Sequence, residues 1–277
     1  MASEHPYASR SETGPVAEHN EDRVLARPER GLWVVADGMG GHEAGEIASE
    51  VVIEAIEEAV AEGRSLAEAV QHSHHAIKYA AENGRGAVGM GSTVVALRLR
   101  GHDYELAWVG DSRAYLWEPE MDGGRLTQLS HDHSFVQRLV DTGNLTDAEA
   151  RVHPHRNIIT QSLGAVDIDK VEVGTARGRL YRGQHILLCS DGLTDVLDDA
   201  ELRDFLRHST DIQRQVDELV AEVVRREGRD NISVQVVSAA PDAPPAGETG
   251  GSPWQCHPAL LVAGGILLLA ALGLVLL

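Results

Sequence analysis

Leu32-Trp33-Val34-Val35-Ala36-Asp37-Gly38-Met39-Gly40-Gly41 is a short apolar run that ends on a carboxylate and a cluster of glycines. Its β-branched and aromatic content is that of a buried strand, so its tip should be fixed. Two more carboxylates stand in the same relation to apolar runs. Gly110-Asp111-Ser112-Arg113 follows residues 106–109, and Ser190-Asp191-Gly192-Leu193-Thr194-Asp195 follows residues 185–189. Asn20-Glu21-Asp22 and Arg229-Asp230-Asn231 complete five acidic signatures. One Asp-Gly pair after a strand is more often a turn than a ligand. The set points to convergence around a hard cation, because carboxylate oxygens are what Mg²⁺ and Mn²⁺ prefer and each residue supplies only one or two contacts.

Working outward, 33–36, 93–100, 104–117, 186–189 and 232–238 read as strands bounded by Gly or charged turns. Residues 44–62 and 65–83 place Ile, Val, Leu and Ala at helical spacing, and 199–207 and 211–227 fit helices as well. Consecutive helices followed by consecutive strands indicate an α+β layered domain rather than alternating βαβ units. Residues 131–164 form a polar insertion with one short helix and a proline, Pro154, flanked by His153 and His155.

The formal charge of −19 opposes binding to nucleic acid or to an anionic lipid surface. Two cysteines, Cys189 in a strand and Cys256 beside the terminal apolar run, make no disulfide framework, so a reducing compartment is the simpler inference. Residues 1–21 are polar and carry no secretory signal. Residues 259–277 are nineteen uncharged residues of Ala, Leu, Val, Ile and Gly, the length of a transmembrane helix. The Pro/Gly-rich stretch 241–258 before them reads as a tether. Expected organisation is therefore a catalytic domain over 1–240 in the cytoplasm, a linker over 241–258 and a single C-terminal anchor over 259–277 in the cell membrane. Arg225, Arg226 and Arg229 on the domain side agree with that orientation. No feature argues for an obligate dimer, so the chain is expected to be a monomer.

The order and wording of the motifs resemble the metal-dependent type 2C (PPM) serine/threonine protein phosphatases, most strongly the bacterial members. The resemblance runs over about 7–240 and includes His131-Asp132-His133-Ser134-Phe135-Val136 and Arg156-Asn157-Ile158-Ile159-Thr160. It implies a four-layer αββα sandwich of two antiparallel sheets flanked by helices, with 131–164 as a flap beside the active site. It implies two Mn²⁺ or Mg²⁺ ions and hydrolysis of phosphoserine and phosphothreonine on proteins by direct attack of a water that bridges them. By the same resemblance Asp37 bridges both ions, the Gly38 carbonyl and Glu21 serve one, and Asp191 and Asp230 serve the other. Asp22 fixes waters beside them by hydrogen bonds. Read from the residues alone, Asn231 follows Asp230, and its amide is placed to orient that carboxylate or a bound water. Asp111 and Asp195 match positions that hold a third, weaker ion in bacterial relatives. A serine/threonine kinase acting on shared substrates is the implied counterpart.

Other residues carry rival readings. Ser112, Ser190 and Thr194 sit beside ligands, but no His-Asp arrangement would activate them as nucleophiles. His72, His74 and His75 share a predicted helix, where Zn²⁺ binding competes with the commoner solvated polar face. His153 or His155 has the chemistry to protonate a leaving alkoxide, against plain loop polarity. Met39 replaces the His of many eukaryotic members, as in bacterial relatives.

Many members also carry an Arg that clamps the substrate phosphate, and here that position is Ala17. Arg10, Arg23 and Arg156 are candidate substitutes. The loss favours a rival of another class, a membrane-bound pseudophosphatase that binds phosphoproteins without turnover. Intact Glu21, Asp37, Asp191 and Asp230 oppose it. A hydrolase of small phosphoesters is a third reading. A complete metal set beside an incomplete clamp predicts weakened substrate affinity: Ala17→Arg should lower the Michaelis constant on a phosphopeptide, and an unchanged constant would overturn the reading.

Overall fold

Successive side chains of Leu32–Met39 point to opposite faces of a sheet, and here both faces are covered. Leu32, Val34 and Ala36 enter one apolar layer, Trp33 and Val35 another. A strand buried on both sides has no polar face to alternate with, which explains its unbroken apolar run. The computed structural model describes residues 5–41, 44–119 and 123–246. The expected span at 259–277 and the linker beyond 246 lie outside those residues. Among the described residues no helix is long and apolar enough to cross a membrane.

The elements in chain order are β1 (Tyr7–Glu12), β2 (Asp22–Arg27), β3 (Leu32–Met39), α1 (Ala44–Ala61), α2 (Leu66–Glu82), β4 (Gly91–Ser92), β5 (Val94–Arg100), β6 (Asp103–Val109) and β7 (Arg113–Glu118). They continue with β8 (Arg125–Gln128), α3 (Phe135–Asp141), α4 (Asp147–Arg151), β9 (Gly174–Arg179), β10 (His185–Cys189), α5 (Asp191–Thr194), α6 (Asp199–His208), α7 (Ile212–Arg225) and β11 (Ile232–Ser238). One sheet runs β1-β11-β10-β7-β8. The other runs β2-β3-β5-β6-β9, with β4 on β3. Every strand pair is antiparallel.

Three apolar seams make four layers. The outer seams lie between α1/α2 and the β3-containing sheet, and between α6/α7 and the β10-containing sheet. The inter-sheet seam interleaves Trp33, Val95, Leu97, Leu106 and Trp108 with Leu116, Ile186, Leu188 and Val237. This is the expected αββα arrangement. Capping boxes start α2 (Ser65 with Glu68) and α6 (Asp198 with Glu201), satisfying amides that the first turn leaves free.

Three sequence expectations are corrected. The apolar stretch 104–117 is two strands, β6 and β7, which belong to different sheets. Gly110 breaks it with φ +104, and a Cβ there would meet Thr93 Cβ at 2.6 Å. The insertion holds two short helices, α3 and α4, rather than one. His74 is fully buried and not on a solvated face: its Nδ1 accepts from Gly164 N and its Nε2 donates to Ile168 O. Packing also continues past residue 240, because Ala243 is buried in the inter-sheet seam and Arg182 N donates to Pro244 O. Leu188→Ala empties a site in the middle of that seam. It should cost about 2–5 kcal/mol in a urea unfolding titration, and a loss under about 1 kcal/mol would contradict the tight packing described.

Candidate active site

All five acidic signatures meet at one end of the sandwich, where strands of both sheets terminate. Asp37 lies near the end of β3 and pairs in register with Asp22 at the start of β2, with Glu21 just before it. Asp111 lies in the β6–β7 crossing, Asp191 starts α5 after β10, and Asp230 precedes β11. Like charges directly opposite on a sheet repel. Burial first, then Asp22, Asp191, Asp111 and Asp230, holds the Asp37 carboxyl well above the usual carboxylate range. Asp191 is raised in the same way, by burial and then by Asp111 and Asp230. Burial pushes Asp22 up to about 6, and burial with Asp132 pushes Asp111 up to about 7. Burial and then Asp230 raise Glu21.

Backbone contacts hold this unfavourable arrangement in place. The Asp37 carbonyl accepts from Thr93 N at 2.8 Å and from Ser92 Oγ at 2.9 Å. Gly38 N donates to Glu21 O, which also accepts from Ser49 Oγ on α1. Glycine is required at Gly38 because a Cβ would lie 1.9 Å from Gly45 O, and at Gly45 because a Cβ would lie 2.5 Å from the Glu21 carboxyl carbon. Asn231 ties the loops together. Its Oδ1 accepts from Glu21 N at 2.8 Å, its Nδ2 donates to His19 O, and its backbone N donates to Asp230 Oδ1. Ser190 Oγ donates to Asp22 Oδ2 and accepts from Ser233 N, so it is a bracket rather than a nucleophile. Ser112 is likewise occupied by Thr93 Oγ1 at 2.7 Å.

The donor set fits hard divalent cations. Asp191 Oδ1 is buried with no hydrogen-bond partner, and no lysine or arginine pairs with Asp37, Asp191 or Asp230 among the described residues. Cations are the missing charge that such a group of oxygens calls for. Among the described residues no three His, Cys, Asp or Glu side chains stand close enough to hold one ion as placed. A cavity of about 370 Å³ adjoins the group, lined by Asp111, Asp191 and Asp195 on one side and by α3, α4 and Arg156 of the flap on the other.

The protein phosphatase 2C profile matches residues 16–228. The chain belongs to the protein phosphatase 2C family. It is 34% identical over 241 residues to the serine/threonine phosphatase stp of Listeria welshimeri, covering 82% of this chain and 93% of that one. It is 37% identical over 236 residues to the serine/threonine protein phosphatase PstP of Mycobacterium tuberculosis, covering 83% of this chain and 44% of that one. The crystal structure of M. tuberculosis PstP superposes with TM-score 0.75 at 36% identity, covering 84% of this chain and 98% of that chain. A PstP catalytic domain determined with two manganese ions gives TM-score 0.74 at 34% identity, covering 84% and 97%. The chain is a bacterial-type serine/threonine phosphatase of this family.

Within this phosphatase the three candidate arginines part company. Arg10 is on β1 and is taken by Glu12 and by Asp217 of α7. Arg23 is spent on Glu46 and on the Asn20 and Asp22 carbonyls. Arg156 lines the cavity, and among the described residues Asp195, 3.6 Å away, is its one acidic partner. Asp195 also accepts from Asn157. The His153 and His155 rings meet each other and Phe135 in tilted and edge-on contacts and do not line the cavity. Burial pushes the Cys189 thiol up to about 12, so it is inert.

Sequence reading missed the clamp of Arg113 on Asp132, at 2.6 Å, which Gln128 completes in the cavity wall. It also missed Thr93 and Ser92, which carry no motif beyond following a glycine. Asp22 and Asp111 have folded-state values above the ordinary 3.8. Their contribution to stability is complete below that value and lost as pH rises through about 6 and about 7. Metal-free protein should therefore lose thermal stability over that window, and Mn²⁺ should raise Tm more above it than below it. A Tm gain from Mn²⁺ that is equal at both ends would contradict the charge account.

Proposed function

We propose that this phosphatase is metal-dependent and hydrolyses phosphoserine and phosphothreonine on proteins. The observation that carries the reading is the meeting of five acidic signatures, one with a buried unpartnered carboxylate oxygen, beside a cavity that also holds a cationic flap residue. Glu21, Asp37 and the Gly38 carbonyl would hold one Mn²⁺ or Mg²⁺, and Asp37, Asp191 and Asp230 the other. Asp111 and Asp195 would hold a third. When bound, two such ions would supply an activated water at neutral pH and neutralise the phosphoryl oxygens.

The chain's own residues do the rest. Asn231 keeps Glu21 and Asp230 in register, and Asp22 is braced by Ser190. Arg156 offers its guanidinium fork to the substrate phosphate in place of the Arg that Ala17 replaces. Ala17 sits in a turn closed by its N–H to Gly14 O, and Gly14 is pressed on the Asp230 carbonyl, so position 17 borders the site. The pseudophosphatase alternative draws its support from that alanine. We also place residues 259–277 in the cell membrane with the catalytic domain in the cytoplasm, beside a serine/threonine kinase with shared substrates. The length and lack of charge of the segment support this.

The deciding assay is Mn²⁺-dependent phosphate release from a phosphothreonine peptide. Asp37→Asn and Asp191→Asn should each abolish it while the fold is kept. Arg156→Ala should raise KM about tenfold, the loss of a charged hydrogen bond, with kcat largely retained. Silence of the folded, metal-loaded wild type would establish the binding module instead.

A further inference from the structure

The flap that carries Arg156 is mounted on the crossing between the two sheets. Trp108 Nε1 donates to His131 O at 2.9 Å. His133 N donates to Gly110 O at 2.9 Å, and Gly110 N donates back to His133 Nδ1 at 3.2 Å. These contacts tie residues 131 and 133 to the end of β6, and by themselves would let the segment turn about the line between them. Asp132 supplies a point off that line. Its carboxylate accepts from Arg113 Nε at 3.0 Å, from Arg113 Nη2 at 2.6 Å and from Gln128 Nε2 at 2.9 Å, which pins the flap entrance to β7 and β8 of the other sheet. A two-pronged guanidinium grip fixes direction as well as distance. Arg113 is itself braced. Its Nη1 donates to Tyr115 Oη at 3.1 Å, and Tyr115 Oη donates to Asp199 Oδ1 at the start of α6, also at 3.1 Å.

The entrance in turn sets the register of the segment by which the flap returns. Thr160 N donates to His133 O at 2.7 Å, Phe135 N donates to Ile158 O at 2.8 Å, and Ser134 pairs with Ile159. Arg156 stands two residues before Ile158, so its backbone inherits the placement of Asp132. At the other end, Arg156 and Asn157 lean on Asp195, and Arg151 donates to Thr194 O. A guanidinium that turns to a phosphate gives up its hold on Asp195. The mounting at 131–133 then has to aim it.

We propose that Asp132, gripped by Arg113 and Gln128, is a positioning residue for phosphate capture: it holds the flap so that Arg156 faces the carboxylate centre, and it touches no substrate itself. The proposal rests on the role given to Arg156 above. Misplacing a group that meets the substrate by about 1 Å is costly, whereas a buried ion pair adds little net stability over apolar residues of the same volume. Orientation is what this pair contributes. Both side chains also line the cavity, so direct contact with substrate is the competing role.

A double-mutant cycle on the full-length protein separates the two, read as KM and kcat on a phosphothreonine peptide. Asp132→Asn keeps the shape of the side chain and should raise KM at least about fivefold with kcat largely retained, approaching the effect of Arg156→Ala. In the Arg156→Ala background it should change KM by less than about twofold, because the group it aims is gone. Arg113→Lys keeps the charge, loses the two-pronged grip and leaves Gln128 in place, so its KM should fall between those of wild type and Asp132→Asn. It carries the same cycle if Asp132→Asn does not fold. Hydrogen exchange of the metal-free protein gives a readout apart from turnover: peptides covering 153–160 should exchange faster in either variant, while those of β5 and β10 keep the wild-type rate. Unchanged exchange at 153–160 overturns the positioning role. So does a rise in KM that persists in the Arg156→Ala background, which assigns Asp132 to substrate contact, and so does an unchanged KM in Asp132→Asn where Arg156→Ala raises it. A wild-type KM in Arg156→Ala refutes the phosphate clamp and the positioning role with it.

Discussion

Repulsion among buried carboxylates is the constraint around which this molecule is organised. Asp22 and Asp37 face each other across a strand pair, with Asp111, Asp191 and Asp230 close enough to raise them. Left to itself such a group would splay. It is held because each carboxylate stands on a strand end or turn whose backbone is fixed elsewhere: Thr93 and Ser92 on the Asp37 carbonyl, Asn231 on Glu21 and Asp230, Ser190 on Asp22. Two sheets packed face to face supply that rigidity, and the apolar seams on both outer faces keep the sheets together. On the proposed function, the stability given up at one end of the sandwich is a store that bound cations would release.

What the sequence showed depends on burial. β3, β5, β10 and β11 lie inside their sheets and are mostly buried; β3 up to Ala36 and β10 after His185 read as apolar runs, and β5 and β11 were legible through their Val, Ile and Leu content. β1, β2, β8 and β9 escaped notice, and all four are edge strands. Their sequences, such as Arg125-Leu126-Thr127-Gln128, are polar because one side meets solvent, which also protects an edge against unwanted pairing. The join of β6 to β7 was invisible for a different reason. Apolar residues flank it on both sides, and only the positive φ of Gly110 reveals the crossing between sheets.

At the site, motif order pointed to carboxylates that the fold gathers at one end of the sandwich, but the contacts of the residues around them came only from geometry. By sequence the amide of Asn231 reads as orienting Asp230 or a bound water; in the structure the side chain spans to the 19–21 loop and the backbone N–H reaches Asp230. His74, read as solvated, is a buried brace between α2 and the end of the flap. Long-range contacts of this kind leave no periodic trace in the chain.

The most direct test of the central claim is anomalous diffraction from crystals soaked in Mn²⁺. Two strong peaks sharing Asp37, one beside Glu21 and the other between Asp191 and Asp230, are the predicted result. An acidic end free of manganese in crystals that bind it elsewhere would contradict the account.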